Sequence, residues 1–170
     1  INMPIEELQA AVQKSVVKGA PVWFAGDVSK GFHPYKAAFN NKLMDDRLLF
    51  GDYPITSKAE KFRYHNLEGN HAMCFTGVNC DRYGKIETLQ VENSWGYWDN
   101  ETPGLDGFLC MSKEWFDNNV VQVVIHKSFL SRRIEAVVGT EPELLEPWDY
   151  MAPAVKVRGA ARPKHYLHRE

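Results

Sequence analysis

His71-Ala72-Met73-Cys74-Phe75-Thr76-Gly77-Val78, then Asn79-Cys80-Asp81-Arg82-Tyr83-Gly84, then Ile86-Glu87-Thr88-Leu89-Gln90-Val91-Glu92, is the stretch whose reading decides the fold. The first run is apolar except for Thr76, the middle carries turn chemistry, and the last resumes in strand-forming residues, so the three together predict a β-hairpin. Working outward toward the N-terminus, Pro21 to Ala25 is a short apolar run closed by Gly26 and Asp27 and predicts a buried strand. Ahead of it, Ile5, Leu8, Ala11, Val12, Ser15 and Val16 recur at three- and four-residue spacing. That spacing predicts an amphipathic helix over Ile5 to Lys18, with Pro4 near its first turn and Gly19 at its end.

Toward the C-terminus, Gly96 to Gly107 reads as loop and Phe108 to Met111 as a strand. Ser112 and Glu114 precede Trp115 and Phe116 as the start of a short capped helix, and Val120 to Ile125 reads as a final strand. Ser29 to Asn70, with Gly31, Pro34, Gly51, Pro54 and Gly69 among aromatics, predicts a long functional insertion. Short helices are expected there, one of them over Tyr35 to Asn40, rather than regular layers. The expected class is α+β: a mainly antiparallel, barrel-like sheet carrying an N-terminal helix and short helices.

Composition narrows the function classes. With 170 residues, 44% hydrophobic and 25% charged, one core is large enough to fold. No window approaches the roughly 18 uninterrupted apolar residues of a membrane span, and Ile1 to Glu7 lacks the basic and apolar regions of a signal peptide. A soluble, intracellular (cytoplasmic) protein without membrane partners is expected. Cys74, Cys80 and Cys110 are an odd and sparse set, which favours reduced thiols over a disulfide framework. The net charge of −2 conceals an uneven distribution, because residues 155–170 hold five Lys or Arg against one acid and stand at +4, leaving −6 elsewhere. The tail 155–170 is therefore expected to be a separate, disordered segment. A chain that starts at Ile1 without an initiator methionine fits a processed or fragmentary product.

Two strings carry chemistry: Asn70-His71-Ala72-Met73 at the head of one strand of the hairpin, and Val91-Glu92-Asn93-Ser94-Trp95-Gly96 at the tail of the other. A histidine acting as general base needs an acceptor on its far nitrogen to fix tautomer and orientation, and an asparagine amide oxygen supplies one without charge. Trp95, two residues on, can lay its indole over that bond, and Gly96 lets the backbone turn sharply beneath it.

These strings, with Gly107-Phe108-Leu109 following, resemble the right-hand half of papain-like cysteine peptidases. Pro21-Val22-Trp23-Phe24, Gly107 to Met111, Glu114-Trp115-Phe116 and Pro147-Trp148-Asp149 extend the resemblance to the C-terminal portion of the bleomycin hydrolase and aminopeptidase C family, over about Ile1 to Ala154. The resemblance implies that His71 pairs with a cysteine thiolate, that Asn93 orients it, and that Trp95 and Gly96 support the pair. It also implies that the nucleophile lies upstream, on a helix of a left-hand domain, preceded by a glutamine lining the oxyanion hole. This sequence holds no Cys-Trp pair of the kind that helix carries. The chain is thus expected to be the His/Asn half of a cysteine aminopeptidase, inactive alone. Its implied partners are peptide substrates, the upstream cysteine-bearing half, and copies of itself in a hexameric ring.

Family members lay their C-terminus into the cleft and so remove N-terminal residues, and a tail beyond Ala154 would crowd that arrangement. The alternative is a non-catalytic homologue serving assembly or nucleic-acid binding, the latter through Lys156, Arg158, Arg162, Lys164 and Arg169. Other chemistries fit less well. Cys74 lies three residues past His71, so strand alternation points its thiol to the opposite face. Cys80 is placed in a turn and Cys110 in a strand interior. His65, His71, Cys74 and Cys80 lack paired metal-ligand spacing, so no metal or other cofactor is expected. Ser94 sits in no Gly-x-Ser-x-Gly elbow, Asp45 and Asp46 read as solvated charge, and Gln90 and Glu92 alternate away from Val91 and Asn93.

Overall fold

The computed structural model describes residues 1–43, 45, 47–95, 106–146, 148, 149 and 151, so Gly96, Asp46, Pro147 and the expected tail 155–170 lie outside the described residues. The central hairpin forms as predicted, from β4 (His71–Cys80) and β5 (Ile86–Glu92). Its first strand runs two residues past the expected end, because the Asp81 carboxylate tightens the turn. That carboxylate accepts from the backbone N–H groups of Tyr83 at 2.8 Å and Lys85 at 2.9 Å, and Gly84 takes the left-handed conformation the turn needs, with φ 79°. Asn79 and Cys80 are drawn into the ladder opposite Thr88 and Ile86. Cys80 is therefore the last residue of a strand, not a turn residue.

β1 (Val22–Gly26) lies between β4 and β7 (Val120–Val124), antiparallel to both. On the other flank β5 pairs with β6 (Phe108–Ser112). The insertion departs from expectation, for it supplies two strands: β2 (Phe32–His33) and β3 (Ala38–Phe39). Instead of a helix over Tyr35 to Asn40, a 3-10 turn covers Pro34–Lys36, and Ala37, at φ 44°, throws the chain back into β3. β3 then joins β6 in parallel, which adds one parallel pair to an otherwise antiparallel seven-stranded sheet of order β2-β3-β6-β5-β4-β1-β7.

The core lies on one face. Phe24, Phe75, Leu89, Val91 and Met111 alternate inward from their strands and are essentially buried. They meet Val12 and Val16 of α1 (Ile5–Val17) and Trp115 and Phe116 of α4 (Lys113–Asn119). Phe24 and Phe75 stack at 3.9 Å between ring centroids. α4 begins where expected, with the Ser112 hydroxyl accepting from the Trp115 N–H at 3.2 Å. Two further short helices lie in the insertion: α2 (Arg47–Phe50) and α3 (Lys58–Arg63), the latter opened by a Ser57/Glu60 capping box. Sequence reading ends the architecture with a strand to Ile125. In the structure β7 stops at Val124 and α5 (Arg132–Val138) follows, capped by Ser131, with Ile134 buried and an Arg133–Glu7 ion pair to α1 at 2.9 Å. No described helix is long and apolar enough to cross a membrane.

Candidate active site

The hairpin brings its two chemical strings together at one end. His71 opens β4 and Asn93 follows the last residue of β5, where a hydrogen bond from its N–H to the Gly107 carbonyl at 2.9 Å prolongs the β5–β6 ladder. His71 Nε2 lies 3.0 Å from Asn93 Oδ1. That oxygen also accepts from the Ser94 N–H at 2.8 Å. A backbone N–H can only donate, so the atom it meets is the amide oxygen, and the proton of the His71–Asn93 bond resides on Nε2. Nδ1 then keeps its lone pair, with no hydrogen-bond partner among the described residues. A ring held this way has one nitrogen available to accept a proton.

Trp95 lies over this pair as expected, its ring centroid 4.8 Å from that of His71 with 32° between the planes. What holds Trp95 was not legible beforehand. Phe32 of β2 meets it edge-on at 5.5 Å, Phe39 of β3 meets Phe32 at 4.8 Å, and fully buried Trp115 meets Phe39 at 4.6 Å. An aromatic relay thus ties the shield of the site to the core. Its only sequence signal is the spacing of Phe32 and Phe39, unreadable until both proved to be strand residues.

A family model described as the peptidase C1-like family matches residues 1–152. The chain belongs to the peptidase C1-like family. Within it, the human bleomycin hydrolase is 37% identical over 153 residues, covering 88% of this chain and 33% of the relative. An aminopeptidase C of Listeria monocytogenes is 32% identical over 151 residues, covering 89% of this chain and 33% of the relative. The crystal structure of PepW from Lactobacillus rhamnosis superposes with a TM-score of 0.78 at 32% identity, over 88% of this chain and 33% of that one. The chain therefore spans about a third of the length of the relatives it matches.

A peptidase of this C1-like family works with a thiol, and the three cysteines lie in unsuitable places. Cys74 is on the face of β4 opposite buried Met73 and Phe75, across from Glu92. Burial, and secondarily the Glu92 carboxylate, raise its thiol pKa, the opposite of what an activated nucleophile needs. Cys80 is at the far end of β4, roughly 30 Å from His71 at the rise of an extended strand, where it accepts from Gln13 Nε2 at 3.2 Å. Cys110, on β6, is opposite Gln90, which pairs with Gly77, so its rung lies roughly 20 Å along β4 from His71. None can reach the imidazole.

Asp45 accepts from the Arg47 N–H at 3.2 Å at the start of α2, a local turn role, and Gln90 and Glu92 are exposed on the face away from the core. Among the described residues no group of three or more metal-ligating side chains converges. Sequence reasoning also passed over Asp27 and treated Asn70 only as part of the His71 string. Asp27 is 2% exposed, and Asn70 Nδ2 donates to it at 2.9 Å, directly beside His71.

Proposed function

We propose that this chain is the imidazole-bearing part of a cysteine aminopeptidase whose nucleophilic thiol and oxyanion donors come from a segment upstream of it. The observation that carries the reading is the 3.0 Å contact of His71 Nε2 with Asn93 Oδ1, which leaves Nδ1 free to face a thiol. In this reading Nδ1 takes the thiol proton, and the thiolate attacks the scissile carbonyl carbon. The imidazolium then returns that proton to the departing amine, and the free imidazole deprotonates the water that releases the acyl group. Asn93 keeps the ring in the plane these transfers need, while Trp95 limits access of water to the pair. Names of relatives such as bleomycin hydrolase and aminopeptidase C support release of N-terminal residues from peptides as the activity. Assembly into a hexameric ring and a cytoplasmic setting belong to the same proposal.

The 170-residue chain is expected to hydrolyse no aminoacyl amide, whereas the protein extended by its upstream segment does. Fluorogenic turnover by both proteins, with and without a thiol alkylator, checks this. Alkylator-sensitive turnover by the 170-residue chain alone would refute the proposal.

A further inference from the structure

We propose that Asp27 and Asn70 are positioning residues for His71, clamping the entry of β4 so that the imidazole meets Asn93 in one orientation. The inference rests on the reading of His71 as the catalytic base. The β1–β4 ladder ends at the rung Gly26–His71, and the next residues, Asp27 and Asn70, lie beyond it. Side chains continue the pairing there. Asn70 Oδ1 accepts from the Val28 N–H at 3.0 Å, and its Nδ2 donates to Asp27 Oδ1 at 2.9 Å, so one amide is bound at both ends.

The Asp27 end is itself fixed. Oδ1 also accepts from the Ser29 N–H at 3.2 Å and from the Ser29 hydroxyl at 2.5 Å, and Oδ2 lies 3.8 Å from Lys30 Nζ. The backbone N–H of Asp27 donates to the carbonyl of fully buried Asn119 at 3.0 Å, which refers the clamp to the core. A buried carboxylate persists only when its lone pairs are satisfied, and here they are satisfied by groups that surround the residue preceding His71. Asn70 is joined to His71 by one peptide bond. A change in its backbone angles therefore swings the Cα–Cβ bond of His71 and moves the ring off Asn93. The charged groups about the clamp are Lys30 and, from α3, Lys61, which senses Asp27.

The test uses the complete enzyme with four variants: Asn70→Ala, Asn70→Asp, Asp27→Ala and His71→Ala. The readouts are kcat and KM for an aminoacyl amide, thermal melting, and the pH dependence of nucleophile alkylation by iodoacetamide. Misplacing a catalytic group by about 1 Å costs on the order of a hundredfold. The three clamp variants, Asn70→Ala, Asn70→Asp and Asp27→Ala, should accordingly lose about ten- to hundredfold in kcat with KM within about twofold. Their alkylation midpoint should rise toward that of a free thiol, about 8.5. Asn70→Asp is isosteric and decides the matter should the alanine variants fail to fold, because it keeps the oxygen that accepts from Val28 and sets a second carboxylate oxygen against Asp27 Oδ1. Clamp variants with wild-type kcat and an unmoved alkylation midpoint would overturn the inference. Full turnover by His71→Ala would instead overturn the reading on which it rests.

Discussion

In the complete enzyme, His71→Ala is expected to lower kcat by about 10⁴-fold while melting stays within a few degrees of wild type. His71 serves two proton transfers in the proposed cycle, one as base and one as acid, and each such role contributes about 10² to 10⁴ in rate. Its ring stands at the end of β4, half-buried, and supplies little apolar area to the core, so folding does not depend on it. Asn93→Ala is milder. It removes the bond that orients the ring but leaves a functional imidazole under Trp95, so the loss falls on kcat more than on KM. The stability cost is roughly 1 kcal/mol for one hydrogen bond. Steady-state kinetics beside thermal melts of both variants check the order of effects, and a His71→Ala enzyme as active as wild type would mean the catalytic histidine is elsewhere.

Trp115→Ala is expected to destabilise the protein by about 3–5 kcal/mol, the range for deleting a large buried aromatic. Trp115 is fully buried and its indole N–H donates to the Lys30 carbonyl at 2.6 Å, so its removal leaves both a cavity and an unpaired acceptor. The Gly31 backbone lies close against it, since a Cβ there would come within 3.1 Å of the indole. A fall in melting temperature of roughly 10 °C follows for a chain of this size. The same change removes the last link of the relay through Phe39 and Phe32 to Trp95, so the variant should also lose kcat below its melting point. Calorimetry of the 170-residue chain and kinetics of the complete enzyme separate the two effects. A melt within 2 °C of wild type would show that the relay carries no structural weight.

Much of this was legible in the residues. The hairpin announced itself because its apolar runs and turn chemistry agree, and His71, Asn93 and Trp95 were found because strand ends place them side by side. The barrel-like α+β class and the family were legible from the same strings. The insertion was not. β2 and β3 are two residues long each and owe their existence to partners, namely each other and β6, which no local pattern reveals. α5 was missed because its stability comes from docking Ile134 and Arg133 against the rest of the fold, not from strong helical periodicity. Cys80 was misplaced because the Asp81 side chain, not the residues ahead of it, defines where the turn begins. The Asp27–Asn70 contact escaped notice for a similar reason: the two residues are 43 positions apart and meet only once β1 and β4 are in register.

The central claim, that a thiol from outside this chain works against the free nitrogen of His71, is tested most directly by cross-linking the complete enzyme with 1,3-dibromoacetone and mapping the linked peptides. This reagent bridges a reactive thiol to an imidazole within its short reach. The account predicts one dominant link, between a cysteine upstream of Ile1 and Nδ1 of His71, formed in step with loss of activity. A link to His33, His65 or His126, or inactivation by a bridge to Cys74, Cys80 or Cys110, would contradict it.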